Sequence, residues 1–438
     1  MNKKRITSVA LAGVLTLVMA VPLTQGCGES SDGDTSSYST QGEYYNVFGT
    51  VGTLAVSADF NNSEVVANFN NLCDAVGDFL SELENTLSTA VSTSSISRFN
   101  SAAAGTEVQI DELTYNVLSE AIYMYEITDG YYNPAVYYSV DLFGFTPRFS
   151  SRYLASVGSE DFSVVYTADV STQMPYDRTG SYQSQSGTIT SYVTAAIEPD
   201  EHYVEIFREL AAHMDEVRVE ERDGKYYAYK PDYTVTGPNG DTYTMALDLG
   251  GIGKGYAADI VNVMMEEYGF EYGYFTLGSS SYYVKQSATS DDGTWSMGLT
   301  DPDNSLFGGT YARVNISSVA LSSSGDYEKS YRGEAGLTYC HIIDPFTGRP
   351  KTIGIAGCTV VGGTAARDDA LTTALMVMGE QRAVQYINEH LKDYDIVMIV
   401  RGEDGPCERV ITNVENLEYN PSYTLANTID GEGNIVLG

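Results

Sequence analysis

The segment Asp248-Leu249-Gly250-Gly251-Ile252-Gly253-Lys254-Gly255 constrains this chain more than any other. It sets four glycines within six positions, directly before Tyr256 to Tyr268, whose apolar spacing is helical. A backbone stripped of side chains lets a ligand or another backbone come close, and the helix that follows opens with unpaired N–H groups. Lys254 adds one cation there. Glycine turns also serve packing alone, so the segment by itself leaves both readings open. It is not the GxxxxGK[ST] phosphate loop, and the GxGxxG dinucleotide fingerprint is missing.

Around this segment the patterning is mixed. Glu64 to Leu87 places Val65, Val66, Phe69, Leu72, Val76, Phe79, Leu80, Leu83 and Leu87 at helical spacing. A Ser/Thr-rich turn follows, ending in Ser97-Arg98-Phe99-Asn100. Asp111 to Ile127 reads as a second helix with Asp111 as its N-cap. Pro199-Asp200 opens a third, running to about Met214. Arg367 to Met378 and Arg382 to Leu391 read as two more. Strands are expected in Tyr44 to Asp59, in Tyr274 to Val319, and in a hairpin from Glu216 to Tyr229 turning at Asp223-Gly224. Ile396 to Arg401 reads as a buried strand. Phe149 to Thr194 is dominated by Ser, Thr, Tyr and Gly without a clean period, and reads as an insertion of strands and loops. Helices and strands do not alternate regularly, so the expected class is α+β rather than doubly wound. At 438 residues, the chain has length for one large domain or two.

The N-terminus reads as an export signal. Lys3, Lys4 and Arg5 precede an apolar run from Ile6 to Leu23, and no charged residue stands between Arg5 and Glu29. Gly26-Cys27 then fits a lipoprotein signal, with Cys27 lipidated and residues 1–27 forming the signal peptide. Ordinary secretion and an uncleaved anchor are the alternatives. Residues 28–43 begin with a stretch rich in Ser, Asp, Thr and Gly and read as a tether, leaving 44–438 as the folded part.

The charge balance limits the partners. Lys and Arg number 24 against 59 Asp and Glu, a net charge of −35. Such a chain is poorly suited to nucleic acid or to an anionic membrane face. A phosphorylated ligand would need a local device: helix N–H groups, a metal or a few placed cations. The five Cys contain no CxxC pair and the four His no HExxH motif, which removes zinc-finger and zincin readings. After Cys27, Cys73, Cys340, Cys358 and Cys407 remain, and their pairing is not deducible from spacing.

Three further segments carry candidate chemistry. In His341-Ile342-Ile343-Asp344-Pro345-Phe346-Thr347-Gly348-Arg349-Pro350, Asp-Pro and Thr-Gly mark a tight turn. His341 and Asp344 are either an acid/base or ligand pair, or a satisfied His beside a turn-capping Asp. In Asp369-Ala370-Leu371-Thr372-Thr373, Asp369 and Thr373 fall at i and i+4 on one helix face. A carboxylate with a hydroxyl suits Mg²⁺, which keeps water and phosphate oxygens as its other ligands. The plainer alternative is a helix-terminal charge and a back-bonded Thr. The fourth segment of interest, Thr128-Asp129-Gly130-Tyr131-Tyr132-Asn133-Pro134, is a turn carrying two aromatics, in a chain with 35 Tyr.

In order and spacing these segments resemble the ApbE family of FAD:protein FMN transferases. Ser94-Ser95-Ile96-Ser97-Arg98-Phe99-Asn100 resembles its S-E-I-S-R-x-N, and Asp129 to Pro134 its D-G-x-F-D-P. Asp248 to Tyr256 resembles D-L-G-G-I-A-K-G-Y, His341 to Pro350 resembles H-I-I-D-P-x-T-G-x-P, and Asp369 to Thr373 resembles A-D-A-L-x-T. The resemblance runs from about Val47 to Arg401. It implies a two-lobed, T-fold-like α+β domain with FAD bound between the lobes. It further implies a Mg²⁺-dependent transfer of the FMN half of FAD to a Thr or Ser hydroxyl of an exported acceptor protein, releasing AMP.

Carried onto this sequence, the resemblance gives Asp369 and Thr373 as metal-binding side chains and a carbonyl at Ala246 as a further metal ligand. It gives Tyr131, Asp248, Gly250, Gly251, Lys254, Gly278, His341 and Asp344 as FAD-contacting positions, with His341 and Asp369 catalytic. This chain has Thr276-Leu277-Gly278-Ser279 where the family has Asn-x-Gly-Gly, Asn133 where it has Asp, and Ser95 where it has Glu. A Mg²⁺-dependent FAD pyrophosphatase and a non-catalytic FAD-binding lipoprotein are the competing readings.

Overall fold

The computed structural model describes residues 37–143, 145–146, 180–184, 187–191, 201–238, 240–303, 309–327, 330–332, 338–352, 354–402 and 405–438. Cys27 and most of the 149–194 insertion lie outside them. Within the insertion the described part is a hairpin, Gly180–Ser184 with Gly187–Ser191.

A nine-stranded sheet organises the chain. Its strands are β1 (Ser39–Val47), β2 (Thr50–Ala58), β3 (Gly273–Leu277), β4 (Ser281–Val284), β5 (Val319–Gly325), β6 (Ile355–Val361), β7 (Asp395–Arg401), β8 (Cys407–Thr412) and β9 (Thr424–Leu425). Their order in space is their order in the chain. Every neighbouring pair is antiparallel except β8 with β9. An antiparallel meander with helices inserted between strands is the α+β arrangement expected, not a doubly wound one. β1 starts at Ser39, so the last residues of the expected tether are already paired with β2.

Between β2 and β3 come α1 (Ser63–Leu87), α2 (Ser95–Ser101), α3 (Glu112–Ile127), α4 (Tyr137–Leu142), α5 (Glu201–Ala211) and α6 (Gly253–Glu267). α7 (Ala365–His390) joins β6 to β7. The helical period of α1 is answered in three dimensions: Phe69, Leu72, Val76, Leu80, Leu83 and Leu87 are all buried. Asp111 caps α3 by accepting from the Thr114 N–H. Asp223 and Gly224, at φ 54° and 68°, turn the expected hairpin between Arg218–Arg222 and Lys225–Tyr229. The two helices expected after Arg367 form one span broken at Gly379, which sits at φ 72° and ψ 173°.

One expectation is corrected. Ser97 to Asn100 is not the end of a turn but the middle of α2, capped by the Ser94 side chain on the Ser97 N–H. Serine is a weak helix former. Burial of Ile96 and Phe99 outweighs that local preference.

α6 and α7 lie together on one face of the sheet, and β7 shows why the strand pattern is continuously apolar. Ile396, Met398 and Val400 join the helix-side core, while Val397 and Ile399 point into a second core on the opposite face. That second core is closed by Trp295–Thr300, Thr310–Ile316 and Glu418–Tyr419. Cys73, Cys340, Cys358 and Cys407 are free thiols. Among the described residues no helix is long and apolar enough to cross a membrane.

Candidate active site

The site forms where the first turns of α6 and α7 meet. Gly255 lets them touch: a Cβ there would fall 2.0 Å from the Ala365 carbonyl oxygen. One turn on, Asp259 accepts the N–H groups of Ala365 and Ala366 at 2.8 and 2.9 Å, capping α7 from the neighbouring helix. Burial pushes the Asp259 carboxyl up to about 6, against the pull of those two N–H bonds. This junction fixes Asp369, which is 2% exposed. Its Oδ2 accepts the Gly255 N–H at 3.1 Å and lies 3.5 Å from the Lys254 ammonium. Lys254 Nζ also donates to the Gly250 carbonyl at 3.0 Å.

Thr373 and Thr372 divide the work after Asp369. Thr372 Oγ1 donates to the Asp369 carbonyl at 2.7 Å and pairs with Ser324 Oγ at 2.7 Å, so it is committed to packing α7 on β5. Thr373 Oγ1 is only 3.5 Å from the same carbonyl, a weak contact. It faces the glycine segment: a Cβ on Gly251 would lie 3.7 Å from Thr373 Oγ1 and 3.4 Å from the Tyr132 ring. The side chain that closes the site is therefore Tyr132, not Tyr131. Its ring is buried and its hydroxyl has no hydrogen-bond partner among the described residues. Burial raises its pKa well above the usual phenol range, and the nearby carboxylates of Asp369 and Asp248 add to that.

The loop from Ala246 to Gly251 is held from two directions. Asn100, on α2, uses its whole amide on Leu247, accepting the N–H at 2.7 Å and donating to the carbonyl at 2.9 Å. The Pro134 carbonyl accepts the Asp248 N–H at 2.7 Å. Asp248 Oδ1 takes the Gly250 N–H at 2.8 Å, so part of this carboxylate shapes its own loop. Ala246, one residue before the clamp, is buried. Gly278 joins the group from the β3–β4 turn, where its φ is +71° and a Cβ would lie 3.6 Å from Lys254 Cδ. Ser279 takes φ +55°, so the turn keeps its left-handed form although serine replaces the family's second glycine.

Tyr131 turns the other way and meets Phe346 edge-on, with ring centroids 4.9 Å apart. That contact sets the turn containing Asp344 against the Asp129-Gly130 turn. Asp344 caps its own loop, accepting the Phe346 N–H on Oδ1 at 2.9 Å and the Gly348 N–H on its carbonyl at 2.8 Å. His341 is half-buried and follows the strand Thr338–Cys340.

Two departures from the family pattern have partners. Asn133 Nδ2 donates to the Ala211 carbonyl at the end of α5, at 3.0 Å, which an Asp would not do. The Ser95 hydroxyl donates to Asp111 and accepts from Arg98 Nη2 at 2.8 Å.

The sequence signalled Asp369, Thr373 and the glycine loop. It gave no signal for Tyr132 over Tyr131, or for Asp259. Asn100 was visible only as a motif residue. Among the described residues no group of three or more His, Cys, Asp and Glu side chains stands ready to hold a metal. A cation here would rest on one carboxylate with hydroxyl and carbonyl oxygens. The unpartnered, buried Tyr132 hydroxyl beside two carboxylates fits such a hard-oxygen site. One lysine and oxygen donors converging on a glycine loop make this a site suited to a phosphorylated ligand.

The description that matches this combination is the ApbE family, whose model covers residues 48–168 and 192–398. The chain belongs to the ApbE family. The stretch between the two matched parts falls inside the expected insertion. Relatives named FAD:protein FMN transferase include one from Klebsiella pneumoniae, 31% identical over 168 residues, or 38% of this chain and 45% of that protein. Another, from Vibrio cholerae, is 30% identical over 38% of this chain and 48% of the relative. The chain spans about half the length of the curated relatives it matches. Among solved structures, the flavin transferase ApbE from Vibrio cholerae has TM-score 0.59 at 20% identity, covering 88% of this chain and 98% of that one. The ApbE protein of Thermotoga maritima has TM-score 0.60 at 20% identity, covering 84% and 96%. These structures share the α+β fold.

Proposed function

We propose that this protein is a Mg²⁺-dependent FAD:protein FMN transferase. It attaches FMN through a phosphoester bond to a Thr or Ser hydroxyl of an exported acceptor protein and releases AMP. The observation that carries the reading is the buried Asp369 carboxylate, held by the Gly255 N–H and faced by Lys254 and the unpartnered Tyr132 hydroxyl. Asp248, Gly250, Gly251, Gly278 and Lys254 would line the pyrophosphate of FAD, and Tyr131, His341 and Asp344 would stand at its flavin side.

Asp369, Thr373 and the Ala246 carbonyl would hold the metal. When bound, Mg²⁺ supplies charge neutralisation at the pyrophosphate and polarises the phosphorus. Lys254 adds a cation and the glycine segment lets its backbone come close, which lets a chain of net charge −35 accept a dianionic group. The acceptor hydroxyl oxygen forms the new bond to the FMN phosphorus. The bond from that phosphorus to the bridging oxygen breaks, AMP leaves with that oxygen, and the acceptor proton passes to His341. A signal over residues 1–27, lipidation at Cys27 and a tether after it would place the domain on the outer face of the cell membrane.

The test is incubation of the protein with FAD, Mg²⁺ and an exported flavoprotein domain carrying an acceptor Thr, followed by a denaturing gel under ultraviolet light. A fluorescent acceptor band that EDTA abolishes is expected. AMP release with a dark acceptor would replace the transferase by a pyrophosphatase. FAD retention without AMP would leave a flavin-binding protein.

A further inference from the structure

Lys230 is fully buried, in a protein where cations are scarce. Its ammonium donates to the carbonyls of Phe99 and Asn100, each at 2.9 Å, and lies 5.4 Å from the centre of the Phe99 ring. Among the described residues it has no carboxylate partner. An ammonium is costly to bury, and the two carbonyl bonds offset that cost. What it holds is the C-terminal end of α2, where the Phe99 carbonyl also accepts the Ala102 N–H at 3.1 Å. Lys230 is itself rooted, since its N–H donates to the Thr106 carbonyl at 2.9 Å, and the Gly105 N–H donates to the Pro231 carbonyl at 3.1 Å.

Asn100 is the residue whose carbonyl Lys230 grips and whose side chain makes both main-chain bonds to Leu247. Leu247 stands between Ala246 and Asp248. A chain of short bonds thus runs from Lys230 through Asn100 to the loop that presents the Ala246 carbonyl.

We infer that Lys230 is a positioning residue for the cation- and phosphate-binding loop, acting through Asn100. The inference rests on the proposed role of Ala246 and Asp369 in holding a divalent cation. Lys230 Nζ is spent on the Phe99 and Asn100 carbonyls, so it acts on the site only through Asn100. It removes a rotational freedom from Asn100 and so fixes where the loop carbonyls point.

The test uses the full chain with Mn²⁺ as the probe, read by electron paramagnetic resonance in the presence of FAD, and amide hydrogen exchange at Leu247. The variants are K230M, K230R, N100D and D369A. K230M is expected to speed Leu247 exchange about tenfold and to weaken Mn²⁺ binding about tenfold, with K230R recovering most of both. N100D keeps an acceptor for the Leu247 N–H and loses the donor to its carbonyl. K230M added to N100D should weaken Mn²⁺ binding little further, because the two act in one chain. Wild-type Leu247 exchange and Mn²⁺ affinity in K230M overturn the inference, as do fully additive effects. Should K230M not fold, N100D decides, and unchanged Mn²⁺ binding there overturns it as well. D369A keeps the two readings apart. Undiminished Mn²⁺ binding in D369A removes the metal assignment, while Leu247 exchange in K230M still reports whether Lys230 holds the loop.

Discussion

Replacing Gly255 by Ala tests the junction on which the site is built. The new Cβ would fall 2.0 Å from the Ala365 oxygen, 2.4 Å from its carbonyl carbon and 2.7 Å from Ala366 Cα. All three are backbone atoms, so no side chain can rotate away. Carbon–oxygen contacts settle at about 3.3 Å or more, so α6 and α7 must part by roughly 1.3 Å. Overpacking of this kind costs about 1–3 kcal/mol. The functional effect should be larger than that range suggests. The Gly255 N–H to Asp369 bond, 3.1 Å long, would open past bonding distance, and the Asp259 cap on α7 would be strained with it. A displacement of about 1 Å at a positioned group lowers turnover about 10²-fold.

Gly253→Ala is the control. Its Cβ would meet only Leu87 Cδ1 at 3.6 Å, an ordinary contact, and the family pattern has Ala there. Thermal melts and AMP release measured with saturating FAD and Mg²⁺ read both effects. Gly255→Ala should melt several degrees lower and turn over about a hundredfold more slowly, while Gly253→Ala stays at wild type or gains up to about 1 kcal/mol. Equal behaviour of the two variants, or wild-type turnover in Gly255→Ala, would refute the argument.

Asp369→Ala should abolish Mg²⁺-dependent AMP release while circular dichroism stays native, and undiminished release by that variant would remove Asp369 from the metal site. Asp259 holds its proton more tightly when folded, at about 6 against an ordinary 3.8. Its contribution to stability is therefore greatest below about pH 4 and falls by up to about 3 kcal/mol as pH rises to about 6. Asp259→Asn should flatten that part of the profile of melting temperature against pH, and an unchanged slope would count against the shift. Asn133→Asp keeps the acceptor for the Ala135 N–H but loses the donor to the Ala211 carbonyl. Its urea midpoint should drop by the equivalent of about 1–3 kcal/mol, and an unmoved midpoint would mean that the bond contributes little.

Much of the fold was legible because it is written in local periods. The apolar stripe of α1, the Asp111 cap and the Asp223-Gly224 turn each depend on residues within a few positions of one another. The irregular succession of helices and strands was enough for the α+β class. Local preference also misled, as at α2, where serines suggest a turn but buried Ile96 and Phe99, and the Lys230 ammonium at its end, hold a helix.

By itself the sequence determined which chemistry was at hand: a carboxylate and a hydroxyl at helical spacing, a glycine loop, one lysine, and the ordered motifs of a family. The tertiary structure decided how they are used. Tyr131 and Tyr132 are neighbours in a turn without a period, so only packing could send one to Phe346 and the other to the carboxylates. Only packing could show that Gly255 serves the helix crossing while Gly251 faces Thr373. Asp259 with α7, Asn100 with Leu247 and Lys230 with α2 join residues more than a hundred positions apart. Such bonds exist only once burial has removed the competing water, and no local pattern encodes which distant partner will be there.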